Sequence, residues 1–115
     1  MCNQIWSEIP TPSTVSVELT NDDGNAVIRG TLELRTPAGN TQITELERSD
    51  FPLHVPLTPG VECGVAVELL STGGPGTVTV ASRVSGAGQR GPDVCPLAVD
   101  GDHPVALATV LASAE

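Results

Sequence analysis

Apolar residues recur along this chain at every second position in short runs, and each run ends in a cluster of Gly, Pro, Asn, Asp or Ser. A period of two sends successive side chains to opposite faces of an extended backbone, so the runs read as half-buried β-strands. They fall at 14–20, 26–35, 40–46, 51–57, 61–70, 77–85, 94–99 and 104–111. Short turns between most of them favour antiparallel pairing, because parallel neighbours need long crossovers. The pattern predicts an all-β fold, an antiparallel two-sheet β-sandwich of about 7–8 strands, with a small β-barrel as the alternative. Residues 1–13 carry Cys2, Ile5, Trp6 and Ile9 without a clear period and end in the Pro10-Thr11-Pro12 breaker. They read as an N-terminal arm held by Trp6, with 14–115 as a single sandwich domain.

Individual runs carry more detail. Val15, Val17 and Leu19 share one face of the first. In the second, Ile28, Leu32 and Leu34 point inward and Gly30 marks a bulge or a close backbone contact. Ile43 and Leu46 fall on opposite sides of a regular strand, so 40–46 reads as a weak strand, a bulge or one helical turn. In 51–57, Phe51, Leu53, Val55 and Leu57 alternate with Pro52, His54 and Pro56; two prolines lack ladder donors, which places this strand at a sheet edge. Val61, Cys63, Val65, Val67 and Leu69 form the clearest stripe and predict a central strand. Val78, Val80 and Val84 predict an inward face for 77–85, and 86–93 reads as a longer Gly-rich loop. In the last run Val105, Leu107 and Val110 or Leu111 are the expected buried positions.

Composition narrows the function classes. The chain has 115 residues, no lysine and no tyrosine, and a formal net charge of −9. Arg29, Arg35, Arg48, Arg83 and Arg90 are scattered, whereas phosphate-backbone binding needs clustered cations, so nucleic acid is not an expected partner. An anionic membrane surface is disfavoured for the same reason, and a basic protein face or a cation is favoured. The first ten residues show neither a basic n-region nor an apolar h-region, and no stretch is long enough for a spanning helix, so a cytoplasmic location is expected. Cys2, Cys63 and Cys95 are odd in number, which makes free thiols the default, with Cys63–Cys95 the candidate bridge across the sandwich.

Candidate chemistry is sparse. With strands running alternately up and down, the turns carrying Asp22, Asp23, Asp50, Asp100 and Asp102 collect at one pole. Loop carboxylates of this kind suit a hard cation such as Ca²⁺, although Asp, Asn and Gly also serve tight turns without any ion. His54 and His103 are the only imidazoles, so general bases near neutral pH are few and Ser, Thr and Cys lack an evident activating partner. Gly73-Gly74-Pro75-Gly76 is not followed by the Lys and Ser/Thr of a phosphate loop. The general layout resembles immunoglobulin-like or C2-like sandwiches, but the Cys…Trp…Cys spacing of the former is missing and the calcium-loop pattern of the latter is incomplete, so no family is assigned.

The outer face of 61–70 presents Glu62, Gly64, Ala66, Glu68 and Leu70, and Ala106, Ala108 and Ala112 are expected to extend it on the last strand. Small residues on a flat sheet allow close packing of another surface. The expected function is therefore noncatalytic: a β-sandwich acting through protein contacts, as an accessory or structural subunit, as a small binding module or as a homo-oligomer, with no cofactor required. The alternative is a Ca²⁺-dependent ligand-binding domain using the acidic pole.

Overall fold

The computed structural model describes residues 2–21, 26–71, 75–100, 102 and 105–115. Among these, nine strands form: β1 (Cys2–Ile9), β2 (Ser13–Asn21), β3 (Ala26–Arg35), β4 (Thr41–Glu47), β5 (Leu53–Leu57), β6 (Glu62–Ser71), β7 (Gly76–Gly86), β8 (Arg90–Val99) and β9 (Val105–Ala114). They build two packed sheets, of order β1-β9-β6-β3-β4 and β5-β2-β7-β8, which do not close into a barrel. The fold is a β-sandwich, and the barrel alternative is set aside.

The stripe read as central, 61–70, and the inward face read for 77–85 both occupy the interior. On β6, Val65 and Val67 are almost wholly buried between β9 and β3, and Leu69 is fully so. On β7, Val78, Val80 and Val84 face them from the other sheet, with Ser82 filling the intervening inward position. Alternation alone dictates this: each strand is flanked on both sides, so one face must be covered by the opposite sheet. β5, which contains Pro56 and is preceded by Pro52, lies at the edge of the four-stranded sheet as its prolines indicated. β4 is a regular strand followed by a short 3-10 turn, Arg48–Asp50; Leu46 points into the core and Ile43 points out, 67% exposed. Gly30 is the close-contact case, since a Cβ there would stand 2.8 Å from the Ala66 carbonyl oxygen and 3.4 Å from Leu46 Cβ.

Three regions differ from the sequence expectation. Residues 2–9 are a strand rather than an arm: β1 pairs in parallel with β9, Cys2 beside Ala108 and Trp6 beside Ala112, until Ser7 and Glu8 break the register and Glu8 takes a left-handed φ of 56°. Trp6 is buried, in register with the small Ala112. The Gly-rich loop is also shorter than expected, because β7 runs to Gly86 and β8 begins at Arg90.

The third difference is the phase of β9, which is opposite to that expected for Val105 and Leu107; of the two alternatives further along, Val110 is the buried one. Ala108, Val110 and Ala112 face the core, and Val105, Leu107 and Leu111 face out. Both faces of VALATVLASA are apolar, so periodicity cannot choose between them. The neighbour decides. Cys2, paired with Ala108, is disulfide-bonded to Cys95 on β8 with a Cα–Cα distance of 6.5 Å. Stacked sheets normally stand about 10 Å apart, so the layers are pinched at this point and only small side chains fit beneath. The expected Cys63–Cys95 pairing does not occur. Cys63 pairs with Ala112, four residues along β9 from Ala108 and roughly 13 Å away at strand rise, and its thiol is free and buried.

Candidate functional site

The outer face of the five-stranded sheet is the surface with most to offer a partner. Register fixes its side chains in rows across the strands. From β9 to β3 the first row is Val105, Leu70, Val27. Next comes Leu107, Glu68, Arg29, Glu47, and below it Asn3, Thr109, Ala66, Thr31, Glu45. The following row is Ile5, Leu111, Gly64, Glu33, Ile43. Thus an aliphatic ridge on β9 borders a trough over the small residues of β6, and a charged slope on β3 and β4 borders its other side.

The trough holds two depressions. One, about 320 Å³, is lined by residues including Glu33, Arg35, Glu62, Gly64 and Leu111. The other, about 850 Å³, lies between Leu107, Ala66, Glu68, Arg29 and Glu45. Gly64 is what lets Leu111 lie over β6: a Cβ there would come within 3.1 Å of Leu111 Cδ2. Across the face, Glu33, Glu45, Glu47, Glu62 and Glu68 stand against Arg29 and Arg35, five carboxylates to two guanidinium groups. Arg35 stands 3.8 Å from both Glu33 and Glu62. The face is therefore apolar at one flank and acidic at the other.

The stripe Glu62, Gly64, Ala66, Glu68, Leu70 lies on this face as the sequence indicated. Ala108 and Ala112 do not, being core residues, and Ala106 is half-buried on their side. The β9 ridge escaped sequence reasoning because its residues were assigned to the interior.

On the outer face of the other sheet, His54 of β5, Ser16 of β2 and Arg83 of β7 form one row. Ser16 Oγ and His54 Nδ1 are 2.9 Å apart, and Ser16 is buried. His54 is exposed, yet it clasps the edge strand to β2. The signal was the pairing of two outward polar residues, which needs the register to be seen.

The residues predicted for the acidic pole are treated differently from one another. Asp22 and Asp23 lie outside the described residues. The strand ends that flank those turns, Asn21, Ala26, Ser71, Gly76, Val99 and Val105, do share one end of the sandwich. Asp50 accepts the Glu47 amide at 2.7 Å, closing the 3-10 turn, and Asp100 Oδ1 accepts the Asp102 amide at 2.9 Å. Both are carboxylates used as turn acceptors. Among the described residues, no three of the Asp, Glu, His and Cys side chains converge as a metal site, so Asp50, Asp100 and Asp102 are not brought together.

Burial pushes the Cys63 thiol up to about 11. Among the described residues no helix is long and apolar enough to cross a membrane. Comparison with protein-family models, curated proteins and solved structures gives no match for this chain.

Proposed function

We propose that this β-sandwich is a noncatalytic protein-contact module whose working surface is the outer face of the five-stranded sheet. One observation carries the reading. Of seven large hydrophobic residues exposed among the described residues, six (Ile5, Val27, Ile43, Val105, Leu107 and Leu111) lie on this one face, and only Val94 lies on the other sheet. Large apolar side chains gathered on one sheet face are costly to leave wet and mark an association site. The acidic flank adds selectivity, since it attracts basic partners and repels acidic ones.

The disulfide bears on where such a module works. Disulfides persist in oxidising compartments, so the Cys2–Cys95 bond supports an oxidising setting over the cytoplasmic one that the sequence suggested.

The experiment is a double substitution, Leu107→Glu with Leu111→Glu, studied by light scattering and by capture of stoichiometric partners from the native host. The wild-type chain is expected to self-associate or to retain one partner, and the variant to lose that contact while keeping its melting temperature within a few degrees. A wild-type chain that stays monomeric and retains nothing refutes the reading.

A further inference from the structure

The four edges of the two sheets are unequally protected. β5 carries Pro56, with Pro52 just before it, and its counterpart β8 carries Pro92 and Pro96; a proline has no amide to offer an added strand. β1 is broken at Ser7 and Glu8 and bonded through Cys2 to β8. β4 has no proline, no register break against β3 and only one buried side chain, Leu46.

Its backbone polarity can be read from two hydrogen bonds. At the β3–β4 turn, Thr36 N donates to Asn40 O at 2.9 Å, so residues 36 and 40 are a hydrogen-bonded pair. Such pairs alternate along an antiparallel ladder, which assigns Leu34–Gln42, Leu32–Thr44 and Gly30–Leu46 to the ladder with β3. Thr41, Ile43, Glu45 and Glu47 then turn their amides and carbonyls to the open side. Glu47 agrees, for its amide is taken by the Asp50 carboxylate. Thr41, Ile43 and Glu45 thus present a row of edge-facing donors and acceptors that no strand of this sheet occupies.

The same residues point their side chains onto the acidic flank of the outer face, where Glu45 and Glu47 stand on β4 with no cation of their own strand. A second copy would bring another Glu45, Glu47 and a further −9 of charge against them. A cationic strand meets the opposite sign. We propose that β4 is a docking edge for an extended, Lys- or Arg-bearing segment of a partner protein, which adds antiparallel as a sixth strand with a cation beside Glu45 and an aliphatic residue beside Ile43. This deepens the protein-contact reading and rests on it. The edge lies three strands across the sheet from the β9 ridge, so the two can fail separately.

The test titrates the oxidised, ¹⁵N-labelled full chain with the blocked peptide TKTVTKT, whose lysines and valine share one face. The expected result is shift changes and slowed hydrogen exchange centred on the amides of Thr41, Ile43 and Glu45, at least about tenfold weaker with TETVTET or with a TKTVTKT peptide N-methylated at its lysines. Ile43→Pro, which deletes an edge-facing amide and leaves the β3 ladder intact, is expected to abolish the changes; the N-methylated peptide asks the same question should that variant not fold. Leu107→Glu with Leu111→Glu is expected to leave them unchanged, which separates the edge from the face. No response up to about 5 mM peptide, an equal response to TETVTET, or self-association of the chain through β4 overturns the proposal.

Discussion

Cys2 and Cys95, 93 residues apart, are bonded between edge strands of opposite sheets, so the side of the sandwich where β1 and β8 approach is held by a covalent staple. A loop of that length removes a large share of unfolded-state entropy, about 4–5 kcal/mol in the chain-entropy treatment. Reduction, or Cys2→Ser, is expected to lower the unfolding free energy by about 2–5 kcal/mol in denaturant titrations run with and without reductant. Intact mass without reductant should show one bridge and one free thiol.

Cys63 gives an unusually clean pH dependence. Its folded-state thiol is raised to about 11 from 9.0, so the unfolded chain loses its proton first. Stability is expected to be whole below pH 9 and to fall between pH 9 and 11, on the order of 2 kcal/mol in total. The chain has no lysine or tyrosine to titrate in that window. Cys63→Ala should therefore flatten the alkaline limb of the curve, whatever it does to stability at pH 7.

Gly30 sits where β4 and β6 both approach β3. Gly30→Ala is expected to destabilise by about 1–3 kcal/mol, because the new methyl meets a backbone carbonyl that cannot move without shifting the ladder. A change below about 0.5 kcal/mol in urea unfolding would mean that the strands are further apart than described.

The inverted phase of β9 predicts an asymmetry between neighbouring positions. Ala108→Leu should cost roughly 1–3 kcal/mol by overpacking the pinch beside Cys2, whereas Leu107→Ser should stay within about 0.5 kcal/mol. The reverse order, read from melting curves, would restore the phase expected from the sequence.

The clasp between β5 and β2 is tested by His54→Ala. It leaves the buried Ser16 hydroxyl without its imidazole partner, an expected loss of about 1–2 kcal/mol. Ser16→Ala combined with His54→Ala should cost less than the sum of the two single changes.

Sheet membership and edge position were legible wherever one face was apolar and the other was not. The stripe from Val61 to Leu69 could only be central, and Pro52 and Pro56 could only be at an edge. Legibility failed where side-chain chemistry did not break the tie. β9 is aliphatic on both faces, so its phase was set by a pinch that only the Cys2–Cys95 contact reveals. β1 looked irregular because its bulge at Ser7 and Glu8 spoils the alternation between Trp6 and Ile9. The outer trough was half readable: its floor, Gly64 and Ala66, lies on the clearest strand, while its ridge, Leu107 and Leu111, lies on the ambiguous one. The edge amides of β4 depend on hydrogen-bond phase, which residue types do not encode.

The pairing of β1 with β9 joins residues 2–9 to residues 108–114, a match between segments nearly the whole chain apart. During synthesis β1 is made before the other strands of the sandwich and finds its neighbour last, since the chain is made in sequence order. Until then Trp6 and Ile9 have nothing to pack on and Cys2 has no nearby thiol at residue 95. The nascent chain therefore passes through a stage with an unshielded tryptophan and three reduced cysteines, during which a holdase chaperone would find its best purchase on this molecule.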